Sequence, residues 1–497
     1  MKRSFGLSLR CIVIATLAST YSLVAPPLFA TAPANGGGFC GQGVLPTVSQ
    51  VANPAPMAPT KWTILIFMNG DNNLEPDALL NFCQLAKVGS NADVNVVVEF
   101  DRITKYAHTV PDWAQTLRFR ITQGMDPLPA YALQDIGEAN MGAPQTLTDF
   151  VTWGQTQFPA QHYMLIIWDH GQGWRLFLAQ LLEKQRAMRN SRSLRPTDSV
   201  SGQRTASAAL RKGVGEADVA GHTASLTGAP GATFRSASND ETNNDLLYDS
   251  EIESGLKAAL NGKKLDVIGF DACLMSMLEV GYAMRDVGLY MVGSEELEPG
   301  DGWKYDDWLQ SVETQLPQDG AALAKLTVAS YQATYQGPTA ATTLAALDLT
   351  AMPRVASSVS SLADELNTKL NDNLQGIITA RNATSTYAPG YQFYHVDLLA
   401  FLGNLSQQVS DPHLQGAISS TESTIRSSII ADYAGTQRQG SYGSFGLAIY
   451  FPATASDHAN DPFAEGGYEK SNTYYPVDFV RDFDWTDFLH AYWTKVP

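Results

Sequence analysis

Five short, almost entirely apolar runs constrain the fold of this chain most strongly. Each run is followed by polar residues or by a helical pattern, so each is expected to be one buried strand. Strands buried on both faces are typical of a parallel sheet with helices packed on both sides. In such a sheet, reactive groups collect at the carboxyl ends of the strands. The runs lie in the segments WTILIFMNG, DVNVVVEFDR, HYMLIIWD, LDVIGFD and LYMVG. The pattern therefore predicts an α/β fold with a mostly parallel sheet flanked by helices.

The amino terminus predicts export. Three basic residues precede an apolar run from Cys11 to about Val24, and small residues follow from Ala30 to Ala32. This order is that of a secretory signal peptide over residues 1–32, whereas a retained membrane anchor is the alternative. Residues 33–60, rich in Gly, Pro and Ala, are expected to form a leader or propeptide. We therefore expect a secreted or periplasmic protein without membrane attachment after signal removal.

The net charge and the cysteine content limit the possible functions of this chain. The formal net charge is -17, which argues against nucleic acid as a partner. Once the signal is removed, Cys40, Cys83 and Cys273 remain. Cys40 and Cys83 could pair in an oxidising compartment, and Cys273 would then be an unpaired thiol that needs an explanation.

Cys273 lies where a strand pattern changes to a helical one. The strand ends in Asp271-Ala272-Cys273, and apolar residues recur at helical spacing from Leu274. A helix amino terminus would lower the pKa of the thiol. His170, expected at a neighbouring strand end, could serve as general acid and base, and the amides of Gly171 and Cys273 could hold an oxyanion. The alternatives are a buried spectator cysteine and a packed, hydrogen-bonded histidine.

Other catalytic chemistries find less support in the sequence. The chain has no G-x-S-x-G elbow and no Gly-rich phosphate loop after a strand. One cysteine with one histidine falls short of a zinc site, so no metal ligand set is predicted.

Residues 175–243, between the third and fourth runs, predict a long exposed loop that a protease can reach. A solvated basic helix is the alternative for its first part. The basic residues of this loop are Lys184, Arg186, Arg189, Arg192, Arg195, Arg204, Arg211 and Lys212.

The remaining organisation follows from the change in periodicity near residue 310. We expect a catalytic core over residues 61–310 and a mainly helical C-terminal region over 311–497. A late strand over residues 445–452 is expected to return to the sheet, and the aromatic segment WTDFLHAYW should close the chain as a helix.

The sequence resembles the clostripain-like cysteine peptidases, which belong to the clan of caspases, legumain and gingipains. The matching pieces, in the family's order, are WTILIFMNGDNNLE, VVVEFDR, GEANMGAPQTLTDFVTWG, DHGQGW, FDACLMSMLEV, GSEELEPGDGWKYDDWL, VDLLAF and GLAIYFP. The resemblance implies a caspase-like sheet and a catalytic dyad of His170 and Cys273. One departure is Asp169, which stands where the family usually has Asn.

The resemblance also implies a specificity. Asp271 would form the floor of a pocket for a substrate Arg or Lys, with Asp301 as a weaker candidate for the same pocket. A helix cap is the alternative role for Asp271. Relatives cut themselves at basic residues between the two catalytic residues, so we expect self-cleavage in the basic loop and two fragments that stay associated.

These expectations describe an exported cysteine endopeptidase acting on protein or peptide substrates after Arg or Lys. The chemistry requires no cofactor. Calcium is possible, since some relatives use it and Asp71, Glu295 and Glu296 could supply oxygen ligands. The alternative is a non-catalytic secreted binding or surface protein that keeps the fold.

Overall fold

A nine-stranded mixed sheet forms the centre of the molecule in the computed structural model, which describes residues 40, 59–107, 112–174, 238–388, 393–439, 443–461, 467–472 and 477–496. The strands of these residues are β1 (Thr60–Gly70), β2 (Val94–Arg102), β3 (Thr116–Arg120), β4 (Gln134–Asp135), β5 (Ala160–Trp168), β6 (Asn239–Asp240), β7 (Asp245–Leu246), β8 (Leu265–Asp271), β9 (Gly288–Gly293), β10 (Thr343–Asp348), β11 (His395–Asp397), β12 (Ile429–Ala434) and β13 (Ala448–Tyr450).

Helices connect most of these strands. They are α1 (Glu75–Val88), α2 (Pro144–Gln157), α3 (Asp249–Leu260), α4 (Leu278–Met284), α5 (Tyr305–Gln315), α6 (Gly320–Tyr335), α7 (Met352–Thr368), α8 (Leu370–Ala383), α9 (Leu398–Gln408), α10 (Pro412–Ser428), α11 (Ala455–Ala459), α12 (Asp478–Asp482) and α13 (Trp485–Trp493). By the usual length and hydropathy criteria, no helix among the described residues could span a membrane.

The five apolar runs form the parallel centre of the sheet, in the order β2-β1-β5-β8-β9. Antiparallel strands extend it, with β3 and β4 on one side and β10 and β12 on the other. The expected fold class, a mostly parallel sheet flanked by helices, is confirmed.

The two faces of the sheet bury separate cores, because successive residues of a strand point to opposite sides. Leu65 and Phe67 of β1 pack into the core that contains residues of α2, α3 and α7. Ile64, Ile66 and Met68 pack into the core beneath α1, α5 and α6. This arrangement explains why the central strands read as unbroken apolar runs.

The C-terminal region departs from the expectation in its strands. The late strand is shorter than predicted and does not rejoin the large sheet: β13 pairs with β11 in a separate two-stranded sheet. The reason is that β10 and β12 already extend that side of the large sheet. β13 instead supports the segment after Cys273, since the amide of Ala448 donates to the carbonyl of Ser276 at 3.0 Å.

Cys40 and Cys83 form a disulfide, with their Cα atoms 5.1 Å apart. The amide of Cys40 also donates to Oδ1 of Asp126 at 2.7 Å. The bond therefore ties the leader covalently to α1, next to β1.

Candidate active site

His170 and Cys273 follow two neighbouring strands of the sheet. β5 and β8 pair in parallel, and Trp168 lies opposite Asp271. His170 and Cys273 each follow two residues later, beyond the carboxyl end of the sheet. The segments that carry them are therefore brought to the same edge, as the sequence predicts.

Gly171 lies directly against the backbone of Cys273. A Cβ atom at Gly171 would stand 2.2 Å from the carbonyl oxygen of Cys273 and 2.7 Å from its nitrogen. Gly173 adds a second close approach with a φ of +65°, where a Cβ would meet Sδ of Met277 at 2.4 Å. Only glycine allows the two segments to pack this closely.

The turn after Cys273 differs from the prediction. Leu274 has a φ of +61°, so a helix cannot begin there, and α4 begins only at Leu278. Cys273 therefore lies in a tight turn, and the expected effect of a helix amino terminus on its thiol is wrong. The amide of Glu298 takes that place, since it donates to Sγ of Cys273 at 3.1 Å.

Cys273 is fully buried in this structure. That its thiol is unpaired once the signal has been removed stays a prediction.

His170 is held by the polar loop after β1. Its Nε2 lies 3.2 Å from Oδ1 of Asn73, and its side chain is 1% exposed. Because an amide oxygen only accepts, Nε2 carries the hydrogen in this arrangement. Asn73 was not among the predicted site residues, although its position in the polar run after a buried strand could have identified it.

Asp169 is the centre of a buried hydrogen-bond network. Its carboxylate accepts from the side chains of Asn69 and Asn72 at 2.9 and 3.0 Å, and from the amide of Asn239 at 2.6 Å. It also accepts from the amide of His170 at 2.5 Å. A carboxylate, which only accepts, suits these four donors.

Asp271 is fully buried, and its Oδ2 accepts from the hydroxyl of Tyr305 at 2.7 Å. It does not cap α4, because α4 begins at Leu278 and Met277 is its N-cap residue. Asp301 is exposed, and its carbonyl oxygen accepts from Nδ2 of Asn81 at 3.0 Å. Of the two acids that the sequence assigned to one pocket, one is thus buried and the other is exposed.

A second buried acid lies near this position. Glu298 is fully buried, and its amide bonds the sulfur of Cys273. Burial raises the pKa of Tyr331 well above its ordinary value, and the negative charges of Glu298 and Asp271 raise it further. Both carboxyl groups therefore act on the same phenol, and the surroundings of Cys273 are electronegative.

The processing loop lies largely outside the described residues. This holds for all eight basic candidates, Lys184, Arg186, Arg189, Arg192, Arg195, Arg204, Arg211 and Lys212. The end of the predicted loop is not exposed, however, since Ser238, Asn239 and Asp240 are buried. The side chain of Asn69 donates to Oγ of Ser238 at 2.9 Å, which fixes this end to the strand edge.

The three acids considered for calcium follow two different strands, Asp71 after β1 and Glu295 with Glu296 after β9. Glu296 pairs with Arg438 and accepts from the amide of Ala388. Glu295 accepts from the amide of Gly446 at 3.0 Å, and its burial and the nearby charge of Asp397 raise its pKa well above its ordinary value.

Comparison with known proteins identifies the family of this chain. The model of the clostripain family, peptidase C11, matches residues 66–186 and 223–493. Clostripain from Hathewaya histolytica is 28% identical over 264 residues, which cover 50% of this chain and 41% of that protein. The chain thus matches less than half the length of this curated relative.

Two solved structures share the fold. A secreted C11 cysteine protease from Bacteroides thetaiotaomicron, iotapain, superposes with a TM-score of 0.53 at 15% identity, covering 87% of this chain and 100% of the other. A secreted C11 cysteine protease from the same organism, in complex with an irreversible peptide inhibitor, also gives 0.53, at 17% identity with 86% and 99% covered. The family match and the shared fold agree, and the chain belongs to the clostripain family of C11 cysteine peptidases.

Proposed function

We propose that this protein is an exported cysteine endopeptidase that hydrolyses peptide bonds after Arg or Lys. The observation that carries the proposal is the convergence of His170, Gly171 and Cys273 at two neighbouring strand ends, with the buried carboxyl of Asp271 two residues before the sulfur.

In the proposed reaction, the reduced sulfur of Cys273 attacks the carbonyl carbon of the substrate. The amides of Gly171 and Cys273 donate to the oxyanion that forms. His170 gives a proton to the departing amine, and a thioester remains. Water then attacks the thioester and releases the new carboxyl terminus, and the thiol is restored.

The hydrogen bond to Asn73 supports this role for His170. With Nε2 donating to the amide oxygen, Nδ1 is the nitrogen that accepts and returns a proton. Asn73 and the Asp169 network act as positioning groups, since they hold the ring and its backbone without reaching the substrate.

The electronegative surroundings of Cys273 support the preference for Arg or Lys. Asp271 is buried and already accepts from Tyr305, so its carboxylate is held in one orientation. A guanidinium that replaces water there gains a charge-assisted hydrogen bond. Glu298 adds negative charge on the same side.

Two further features support export and activation. The disulfide between Cys40 and Cys83 fits an oxidising compartment. Cys273 and His170 are buried in the intact chain, as expected for a precursor that processing must open. The basic residues between the two catalytic positions then offer the enzyme its own cleavage sites.

A substrate panel tests the proposal. Purified protein is incubated under reducing conditions with fluorogenic peptides that carry Arg, Lys or Asp before the scissile bond. We expect hydrolysis of the Arg and Lys peptides only, and none by the Cys273→Ala variant. Hydrolysis of the Asp peptide alone would contradict the proposed specificity. If processed wild-type protein hydrolysed none of the peptides, the proposed peptidase activity would be wrong.

A further inference from the structure

The loop after β9, residues 294–298, lies along the turn that carries Cys273. Three hydrogen bonds join this loop to the turn. They run from the amide of Glu298 to Sγ of Cys273 at 3.1 Å, from the amide of Leu274 to the carbonyl of Glu296 at 3.2 Å, and from the amide of Ser276 to the carbonyl of Ser294 at 2.9 Å. The loop and the turn therefore lie side by side in antiparallel directions.

The turn depends on this support because its own conformation is unfavourable. Leu274, which directly follows Cys273, has a φ of +61°, in the left-handed region that residues with a Cβ rarely adopt. Such a conformation persists only where the surrounding structure fixes it. The hydrogen bond from the amide of Leu274 to the carbonyl of Glu296 is one such restraint, so the position of the sulfur depends on where Glu296 is held.

The side chain of Glu296 is held by residues of the C-terminal region. It is buried, its Oε1 accepts from the amide of Ala388 at 2.9 Å, and its Oε2 pairs with the guanidinium of Arg438. Arg438 is also buried and lies over the ring of Tyr387, 5.2 Å from the ring centroid. Removing one partner of a buried ion pair leaves the other charge uncompensated, so the loop should move when Arg438 is lost.

We propose that Glu296 and Arg438 are positioning residues for the nucleophile, through which the C-terminal region fixes the turn of Cys273. The guanidinium holds the carboxylate of Glu296, and the carbonyl of the same residue holds the amide that follows Cys273. The effect on hydrolysis rests on the proposed function. The restraint on the turn does not depend on catalysis and can be measured without it.

The chain offers a matched control in a second buried ion pair. Nε of Arg118 lies 2.6 Å from Oε2 of Glu99, and both side chains are buried. Arg118 also lies over an aromatic ring, 4.9 Å from the centroid of Trp153. This pair joins β3 to β2, and β1 and β5 separate β2 from β8. Arg118→Met therefore removes a similar ion pair without reaching the turn of Cys273.

Steady-state kinetics with an Arg peptide test the effect on catalysis, with kcat calculated per mole of processed chain. We expect Arg438→Met to lower kcat about 10–100-fold and to leave KM within about twofold, because a misplaced nucleophile slows the chemical step and not substrate binding. Arg438→Lys keeps the positive charge and should recover most of this loss. Arg118→Met should retain the kcat of the wild type.

Hydrogen–deuterium exchange tests the restraint on the turn without any use of the activity. Deuterium uptake is measured by mass spectrometry in peptides that contain residues 272–277 and, for comparison, residues 62–68 of β1. We expect Arg438→Met to speed uptake at the turn at least about tenfold and to leave β1 unchanged, because the amides of Leu274 and Ser276 lose their fixed acceptors.

Glu296→Gln serves as a second variant if Arg438→Met does not fold. It keeps the shape of the side chain and the oxygen that accepts from Ala388, and it removes only the charge that pairs with Arg438. We expect the same direction of change, with faster uptake at the turn and a lower kcat.

Three results would overturn the inference. Faster uptake in both peptides would show that the ion pair only stabilises the fold. Unchanged uptake at residues 272–277 in Arg438→Met and Glu296→Gln would show that the pair does not hold the turn. An equal loss of kcat in Arg118→Met would show that any buried ion pair has this effect. If the wild type hydrolysed no peptide while these variants still loosened the turn, the proposed function would be wrong and the restraint on the turn would stand.

Discussion

The α-carbon of Gly171 packs so closely against Cys273 that a Cβ would stand 2.2 Å from the carbonyl oxygen of that residue. The contact joins the segment of the proposed general acid to the segment of the proposed nucleophile. Rotation of a side chain could not relieve the clash of an added Cβ at Gly171, because the atoms of Cys273 that it would meet belong to the backbone.

Gly171→Ala should therefore separate the two segments. We expect kcat/KM for an Arg peptide to fall at least about 100-fold, since misplacing a catalytic group by about 1 Å has an effect of this size. Gly403→Ala is the matched control, because an added Cβ there meets no atom within 4 Å. Equal activity of the two variants would show that the contact is not needed.

The proposed dyad predicts different losses for its two members. Cys273→Ala should abolish hydrolysis and labelling by an Arg-containing thiol inhibitor, with an unchanged circular dichroism spectrum. His170→Ala should lower kcat by about 10²–10⁴-fold, the usual contribution of general acid–base catalysis.

His162→Ala is the control for the histidine, because His162 lies at the other end of β5 and contacts Asp266 at 2.8 Å. Its kcat should stay near that of the wild type. Full activity of the Cys273→Ala protein would refute the assignment of the nucleophile.

The charge of Asp271 should determine specificity. Asp271→Asn keeps the shape and the acceptor for Tyr305 but removes the charge. Losing one partner of a buried charged pair costs about 2–5 kcal/mol, so Arg peptides should be cleaved at least about 30-fold less efficiently.

Asp266→Asn, at the start of the same strand β8 and away from the site edge, serves as the comparison. If Arg cleavage persists in the Asp271→Asn protein and only its thermal stability falls, the binding pocket lies elsewhere.

Self-cleavage should occur between His170 and Cys273. Wild-type protein should separate on a denaturing gel into two fragments, with a new carboxyl terminus at one of the eight basic residues from Lys184 to Lys212. The fragments should co-elute in size-exclusion chromatography, because β5 and β8 remain paired in one sheet. Unchanged processing of pure Cys273→Ala protein would show that another protease makes the cut.

Glu279 should make stability depend on pH. Burial raises its pKa from 4.5 to about 7, although the amide of Tyr450 and the hydroxyl of Tyr468 donate to it. Between these two pH values the native state keeps a proton that the unfolded state loses. Its stabilising contribution is therefore complete below about pH 4.5 and is lost as the pH rises to about 7.

Glu279→Gln removes this titration. The free energy of unfolding, measured in urea from pH 4 to pH 8, should fall less steeply for the variant than for the wild type, by up to about 1.4 kcal/mol per pH unit within this window. Parallel curves for the two proteins would contradict the prediction.

The sequence alone determined the central sheet and the residues at its edge. Apolar runs report burial on both faces of a strand, so β1, β2, β5, β8 and β9 were recognisable one by one. Their polar ends predicted that Asp71, His170 and Cys273 lie at one edge of the sheet, because parallel strands bring their carboxyl ends to one side.

Tertiary structure decided what those residues contact. Asp271 accepts from Tyr305, Cys273 from the amide of Glu298, and Asp169 from donors on two distant segments. Because Leu274 has a positive φ, α4 begins at Leu278 and not at Leu274. β13 pairs with β11 rather than with the large sheet. Periodicity describes burial within one segment, whereas partners depend on how distant segments pack. The carboxyl groups of Asp71, Asp101, Glu138 and Asp240 are far apart in the sequence, and only the fold brings them together.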